Sequence, residues 1–160
     1  MFSPLIAASA AAGADAGFPS RPRHSRTARW TVHRGRSTVL VTAHGELDAC
    51  NAAQFTEYVH CCAAQCRRLI LDLSGVEFFG TAGFSALHMI SARCADADVS
   101  WTVVPSRAVS RVLQICDPDH LLPTVESVAE TVAVAPADPW EQRRLLQLVS
   151  QPCEGFGEQA

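Results

Sequence analysis

Lysine is absent from this 160-residue chain: all 13 basic residues are arginine, a bias that points to a GC-rich genome rather than to a mechanism. With no lysine there is no glycine-rich, phosphate-cradling loop of the P-loop kind, and no H-E-x-x-H pair is present to hold a catalytic zinc. Gly83-Phe84-Ser85-Ala86-Leu87 begins like the nucleophile elbow of hydrolases but lacks the second glycine. The six histidines are scattered, and each, His44 included, reads as a surface or satisfied core residue rather than a base. These gaps argue against an enzyme and call for no cofactor. No apolar run approaches the roughly 20 residues needed to span a bilayer. The alanine-rich stretch from Leu5 to Ala14 has no positive charge before it, and its arginines follow, opposite to a secretory signal peptide. A cytoplasmic protein without membrane association is expected.

Charge is divided unevenly. Residues 1–36 carry six arginines against one acid, Asp15, for a balance of +5, whereas the remainder carries seven arginines against 15 acids, for −8. A basic arm of this kind can contact nucleic acid or the acidic domain itself. Apart from Trp30 at its end, no aromatic is interleaved with the arginines of the arm, so base stacking has no platform and nucleic acid is not the expected partner.

Seven cysteines in a reducing compartment do not make a disulfide framework. His60-Cys61-Cys62 with Cys66 is the one local cluster of zinc-type ligands, but Cys62 and Cys66 share an apolar helical stripe while His60 and Cys61 point elsewhere. No metal site is expected. Cys62, Cys66, Cys94 and Cys116 fall on apolar stripes and read as small hydrophobes; Cys61 and Cys153 do not, and are the candidate redox-active thiols.

The period of the apolar residues organises the rest. Residues 1–26 are mostly Ala, Gly, Pro, Ser and Arg without a period and read as a disordered basic tail. Arg29–His33 and Thr38–Ala43 read as strands joined through the turn-like Arg34-Gly35-Arg36-Ser37. Asn51 and Gln54 form a capping-box pattern ahead of a helix with Phe55, Val59, Cys62 and Cys66 on one face. Leu69-Ile70-Leu71 and Leu73 then make a nearly continuous apolar run, as in a strand covered on both faces. The next helix carries the stripe Gly83, Leu87, Ile90 and Cys94. Val99–Val104 is a further strand, and Val109, Val112, Leu113 and Cys116 mark a helix ending before Asp117-Pro118. Thr124-Val125 suits a short edge strand, and Ser127 with Glu130 is a second capping box. In the 136–160 extension, Asp138-Pro139-Trp140-Glu141 starts a terminal helix with Leu145, Leu148 and Val149 on its apolar side. Strands alternating with helices predict an α/β domain over 27–135, with a mixed or mainly parallel sheet.

Gly80-Thr81-Ala82-Gly83, between the third strand and its helix, places one hydroxyl at or near a helix N-terminus. The unpaired N–H groups and positive dipole end there favour negative charge, so a phosphate on Thr81 would be stabilised. A second reading leaves Thr81 as a helix cap.

The segment Leu69 to Leu87, with Asp72-Leu73-Ser74-Gly75-Val76-Glu77-Phe78 at its centre, resembles the signature of the STAS domain, the fold of anti-sigma-factor antagonists. Val39 to Asp48, ending in Gly45-Glu46-Leu47-Asp48, resembles that family's second block. The resemblance implies a small sheet with helices largely on one side. It also implies a non-enzymatic switch that binds an anti-sigma factor of the histidine-kinase-like ATPase class and is released by phosphorylation at the position matching Thr81. Glu46, Asp48, Gly80, Thr81, Ala82 and Gly83 match the contact surface. The family's Asp-Ser-Ser-Gly stands here as Gly80-Thr81-Ala82-Gly83, without the acid before the hydroxyl. The alternative within the family is a ligand-sensing or scaffold module, redox-responsive through its cysteines.

Overall fold

The computed structural model describes residues 23–24, 27–134, 143, 146 and 147. Most of the expected N-terminal tail and of the terminal helix, and Cys153 with them, lie outside the described residues. Among the described residues nine elements follow along the chain: β1 (Arg23–His24), β2 (Ala28–Arg34), β3 (Thr38–Leu47), α1 (Ala52–Ala63), β4 (Arg68–Phe79), α2 (Thr81–Asp96), β5 (Ser100–Pro105), α3 (Arg107–Cys116) and α4 (Val128–Val134). The strands form one sheet in the order β1-β2-β3-β4-β5. β1/β2 and β2/β3 are antiparallel, while β3/β4 and β4/β5 are parallel and so require the helical crossovers α1 and α2. The expected mixed sheet is therefore present.

The period-2 alternation of the central strands sets the two faces. Val39, Val41, Leu69, Leu71, Leu73 and Val103 point into a large core with Phe55 and Val59 of α1, Leu87 and Ile90 of α2, and Val109 and Leu113 of α3. Leu40, Ile70 and Val104 point the other way, onto Val128 and Val132 of α4. Leu69, Ile70 and Leu71 are all fully buried, which explains their unbroken apolar run. Trp30 on β2 closes the large core, its ring 5.7 Å from Phe55 in a T-shaped contact.

Four details depart from the sequence pattern. Arg23 and His24, assigned by composition to the tail, pair with Trp30 and Arg29 as a short edge strand. That pairing joins main-chain groups along the open edge of β2 and leaves no side-chain signature. Asn51 is the residue before α1 but makes no capping bond to it. Ser127 accepts from Glu130 N at 3.1 Å as a capping box requires, yet Glu130 reaches past it to Glu126 N at 3.2 Å. The expected short edge strand is a single parallel bridge, Val103 with Thr124.

Candidate functional site

The end of β4 and the start of α2 meet the end of β3 at the C-terminal end of these two central, parallel strands. Gly80 is the N-cap of α2, with an extended backbone (φ −87°, ψ 173°) and no side chain to cap the helix. Its N–H donates to Leu47 O at 2.9 Å, which ties the two strand ends together, and its carbonyl accepts from Gly83 N at 3.0 Å. Thr81 is the first residue inside the helix and is exposed. The capping role for Thr81 is therefore not realised. The first turn of α2 contains no acid of its own.

Glycine at position 80 is not demanded by packing. A Cβ built there would lie 3.7 Å from the Phe78 ring and 3.8 Å from Asp48 Cα, ordinary contact distances. Gly83 is different. It is buried, and a Cβ would meet the Phe79 ring at 2.8 Å or less. Gly83 lets that ring lie against α2 and is no part of an exposed surface, contrary to the expectation that it meets a partner. Ala82 is half-buried.

Beside Thr81 the β3–α1 loop is built around Asn51, whose side chain is turned away from its own helix. Its Oδ1 accepts from Asp48 N at 3.1 Å and its Nδ2 donates to Glu46 O at 2.7 Å. Asp48 Oδ1 accepts from Cys50 N at 2.8 Å. That carboxylate closes the turn and is half-buried, while Glu46 is exposed. Of the six expected contact residues, Glu46 and Thr81 are the two that are exposed, and the Leu47–Gly80 bond brings their segments together.

Phe78 belongs to the same surface, although the sequence motif that ends on it does not mark it as a contact residue. It pairs with Glu46 across β3/β4 and is 52% exposed. Consecutive strand residues face opposite sides, so Phe78-Phe79 had to place one ring outside. Ser85 and Met89 continue an exposed line from Thr81 along α2 at four-residue steps. An exposed aromatic beside an exposed hydroxyl is an anchor of the kind interfaces use.

The cysteines separate by burial. Burial pushes the Cys62 thiol up to about 12 and the Cys66 and Cys94 thiols to about 11, while Cys61 is exposed. Cys116 is half-buried, and Cys50, which no stripe claimed, is exposed. Alkylation at pH 8 followed by mass spectrometry should therefore modify Cys50 and Cys61 well before Cys62 and Cys94, because the thiolate is the reactive form. Rapid labelling of Cys62 would show that α1 is rotated from the phase described. Among the described residues, no group of three or more His, Cys, Asp or Glu is placed to hold a metal ion, and no helix is long and apolar enough to cross a membrane.

The model of the family described as "STAS domain" matches residues 29–131. The chain belongs to the STAS family. This STAS domain is 34% identical over 113 residues to Osmosensory protein A of Mycobacterium tuberculosis, covering 68% of this chain and 71% of that protein. It is 29% identical over 103 residues to the anti-sigma-F factor antagonist RsfA of the same species, covering 62% of this chain and 80% of that one. Among solved structures, the anti-sigma factor antagonist SpoIIAA in its unphosphorylated form superimposes with a TM-score of 0.55 at 16% identity, over 64% of this chain and 92% of that one. That likeness establishes the shared fold.

Proposed function

We propose that this STAS domain is an anti-sigma-factor antagonist, acting in the cytoplasm by binding an anti-sigma factor rather than by catalysis. The relative named as an anti-sigma-F factor antagonist supports the class. The observation that carries the reading is Thr81: an exposed hydroxyl at an uncapped, acid-free helix N-terminus, beside the exposed Phe78 and Glu46. The partner is an anti-sigma factor of the histidine-kinase-like ATPase class, and Thr81 is the group it phosphorylates. Glu46, Phe78 and Thr81 form the centre of the contact, with Asp48, Gly80 and Ala82 shaping the backbone around it.

The switch follows from electrostatics. In the unmodified state Phe78 and the α2 N-terminus can be packed against and desolvated. A phosphate on Thr81 adds about two negative charges in that place, where the helix dipole stabilises it in the free domain and where burying it against a partner is costly. Phosphorylation thus favours the dissociated state.

Titration calorimetry with a purified anti-sigma factor of this class from the same cell tests the reading. Wild type and Thr81→Ala should bind alike, and Thr81→Glu should bind at least tenfold more weakly, a difference of about 1.4 kcal/mol. In a kinase assay with ATP, the partner should label wild type and leave Thr81→Ala unlabelled. Equal affinity for wild type and Thr81→Glu would eliminate the Thr81 switch, and no binding by wild type would eliminate the antagonist reading.

A further inference from the structure

The contact between α1 and α2 contains a histidine with no hydrogen-bonding partner. His60 lies on the α1 side, and both of its ring nitrogens, Nδ1 and Nε2, are sealed from solvent without a hydrogen bond. His60 as a whole is half-buried, but with both ring nitrogens covered the neutral form is favoured, since a second ring N–H would lack an acceptor in hydrogen-bond geometry and the charge would sit away from solvent. The charged groups around it are few. Arg93 reaches it from α2 and opposes a proton, while Glu57, one turn earlier on α1, favours one. The main chain of Met89 on α2 lies near enough to favour the proton slightly, but neither ring nitrogen reaches hydrogen-bond geometry with it. Burial is the largest influence and Arg93 the next, and together they hold the imidazole below its ordinary pKa of 6.5.

We propose that His60 is an acid-sensitive latch between α1 and α2: proton uptake there loosens the packing of the helix that carries Thr81. The neutral ring fits the interface. The cation fits less well, because it would stand near the Arg93 guanidinium with its ring nitrogens covered and only the Met89 main chain near enough to favour it. The sign of the effect on stability is set by which state binds the proton more readily. The unfolded chain protonates His60 at its ordinary pKa and the folded chain only at lower pH. The contribution of His60 to stability is therefore complete above pH 6.5 and is lost as pH falls below that value toward the folded-state pKa. This property belongs to the domain itself and goes beyond the antagonist reading, so it survives or fails whether or not an anti-sigma factor binds.

The test uses the full chain alone. The ring proton signals of the six histidines are followed by NMR from pH 8 to pH 4.5, with His60 assigned through His60→Gln. Urea unfolding is measured in parallel at pH 7.5 and pH 5.5. His60 should titrate below 6.5, and Arg93→Gln should raise its pKa by removing the neighbouring cation. On acidification the unfolding constant of wild type should rise at least threefold more than that of His60→Phe, whose ring fills the site without a charge. Amide exchange should quicken in α1 and α2 of wild type at pH 5.5 ahead of the sheet. A His60 pKa at or above 6.5 in wild type would overturn the proposal, as would equal pH dependence in wild type and His60→Phe. If His60→Phe does not fold, the wild-type and Arg93→Gln titrations still decide it.

Discussion

Replacing Gly45 by alanine is expected to lower the melting temperature by roughly 10 °C, one of the largest effects available to a single added methyl group in this domain. Gly45 has φ +94°, in the region that residues with a side chain rarely adopt. It sits opposite Ala28 where β3 changes register against β4, and a Cβ there would run into the carbonyl oxygen of Thr27 and approach Ala28 Cα at 3.2 Å. Both obstacles are main chain and cannot rotate aside. Backbone strain and overpacking are each worth about 1–3 kcal/mol, so a loss of about 3 kcal/mol is expected from a total stability of roughly 5–15 kcal/mol. Thermal unfolding followed by circular dichroism measures it directly. A change of less than about 3 °C, under 1 kcal/mol, would mean that the β2–β3 pair shifts to make room and that the bulge is not rigid.

A comparable loss is expected for Asn51→Ala, by a different route. Asn51 is 2% exposed and its amide serves the main chain of its neighbours, accepting from Asp48 N and donating to Glu46 O. Truncation leaves both groups without that partner, at about 1–3 kcal/mol for each buried group that water cannot reach, so a total of about 2–3 kcal/mol is expected. Asn51→Asp is the sharper variant, because it keeps an acceptor for Asp48 N while setting a carboxylate oxygen against Glu46 O. It should fold less stably than wild type and lose protection at the loop first. Urea denaturation with an unchanged m-value reports the stability, and amide exchange at Asp48 locates the effect. A loss below about 0.5 kcal/mol for Asn51→Ala would show that the loop is held by its turn alone.

The same loop shows where a one-dimensional pattern stops being informative. Asn51 followed by Gln54 satisfies the capping-box spacing, and an isolated helix would use it. In the folded chain the side chain turns back to the loop instead, because Glu46 O and Asp48 N lie within reach only after β3 has been placed in the sheet. Gly83 follows the same rule. Its position beside Thr81 suggested open backbone, but the Phe79 ring occupies the space where its side chain would be, and the two residues meet only when α2 folds back on β4.

Residue order alone determined the alternation of strands and helices, the two-sided burial of Leu69 to Leu71, the core stripes of α1, α2 and α3 apart from Cys66, which lies past the end of α1, and the placing of Thr81 at a helix start. Each of these is a periodicity of two or of 3.6 residues, or a local break in one, and a period is written in the chain itself. Tertiary structure decided the rest: that Arg23 and His24 extend the sheet, that Phe78 pairs with Glu46 where the strand end joined to α2 is tied to β3, that Asp48 closes a turn, and that both ring nitrogens of His60 are covered. Those outcomes depend on contacts between residues far apart in sequence or on main-chain pairing, and neither leaves a pattern in the order of the side chains.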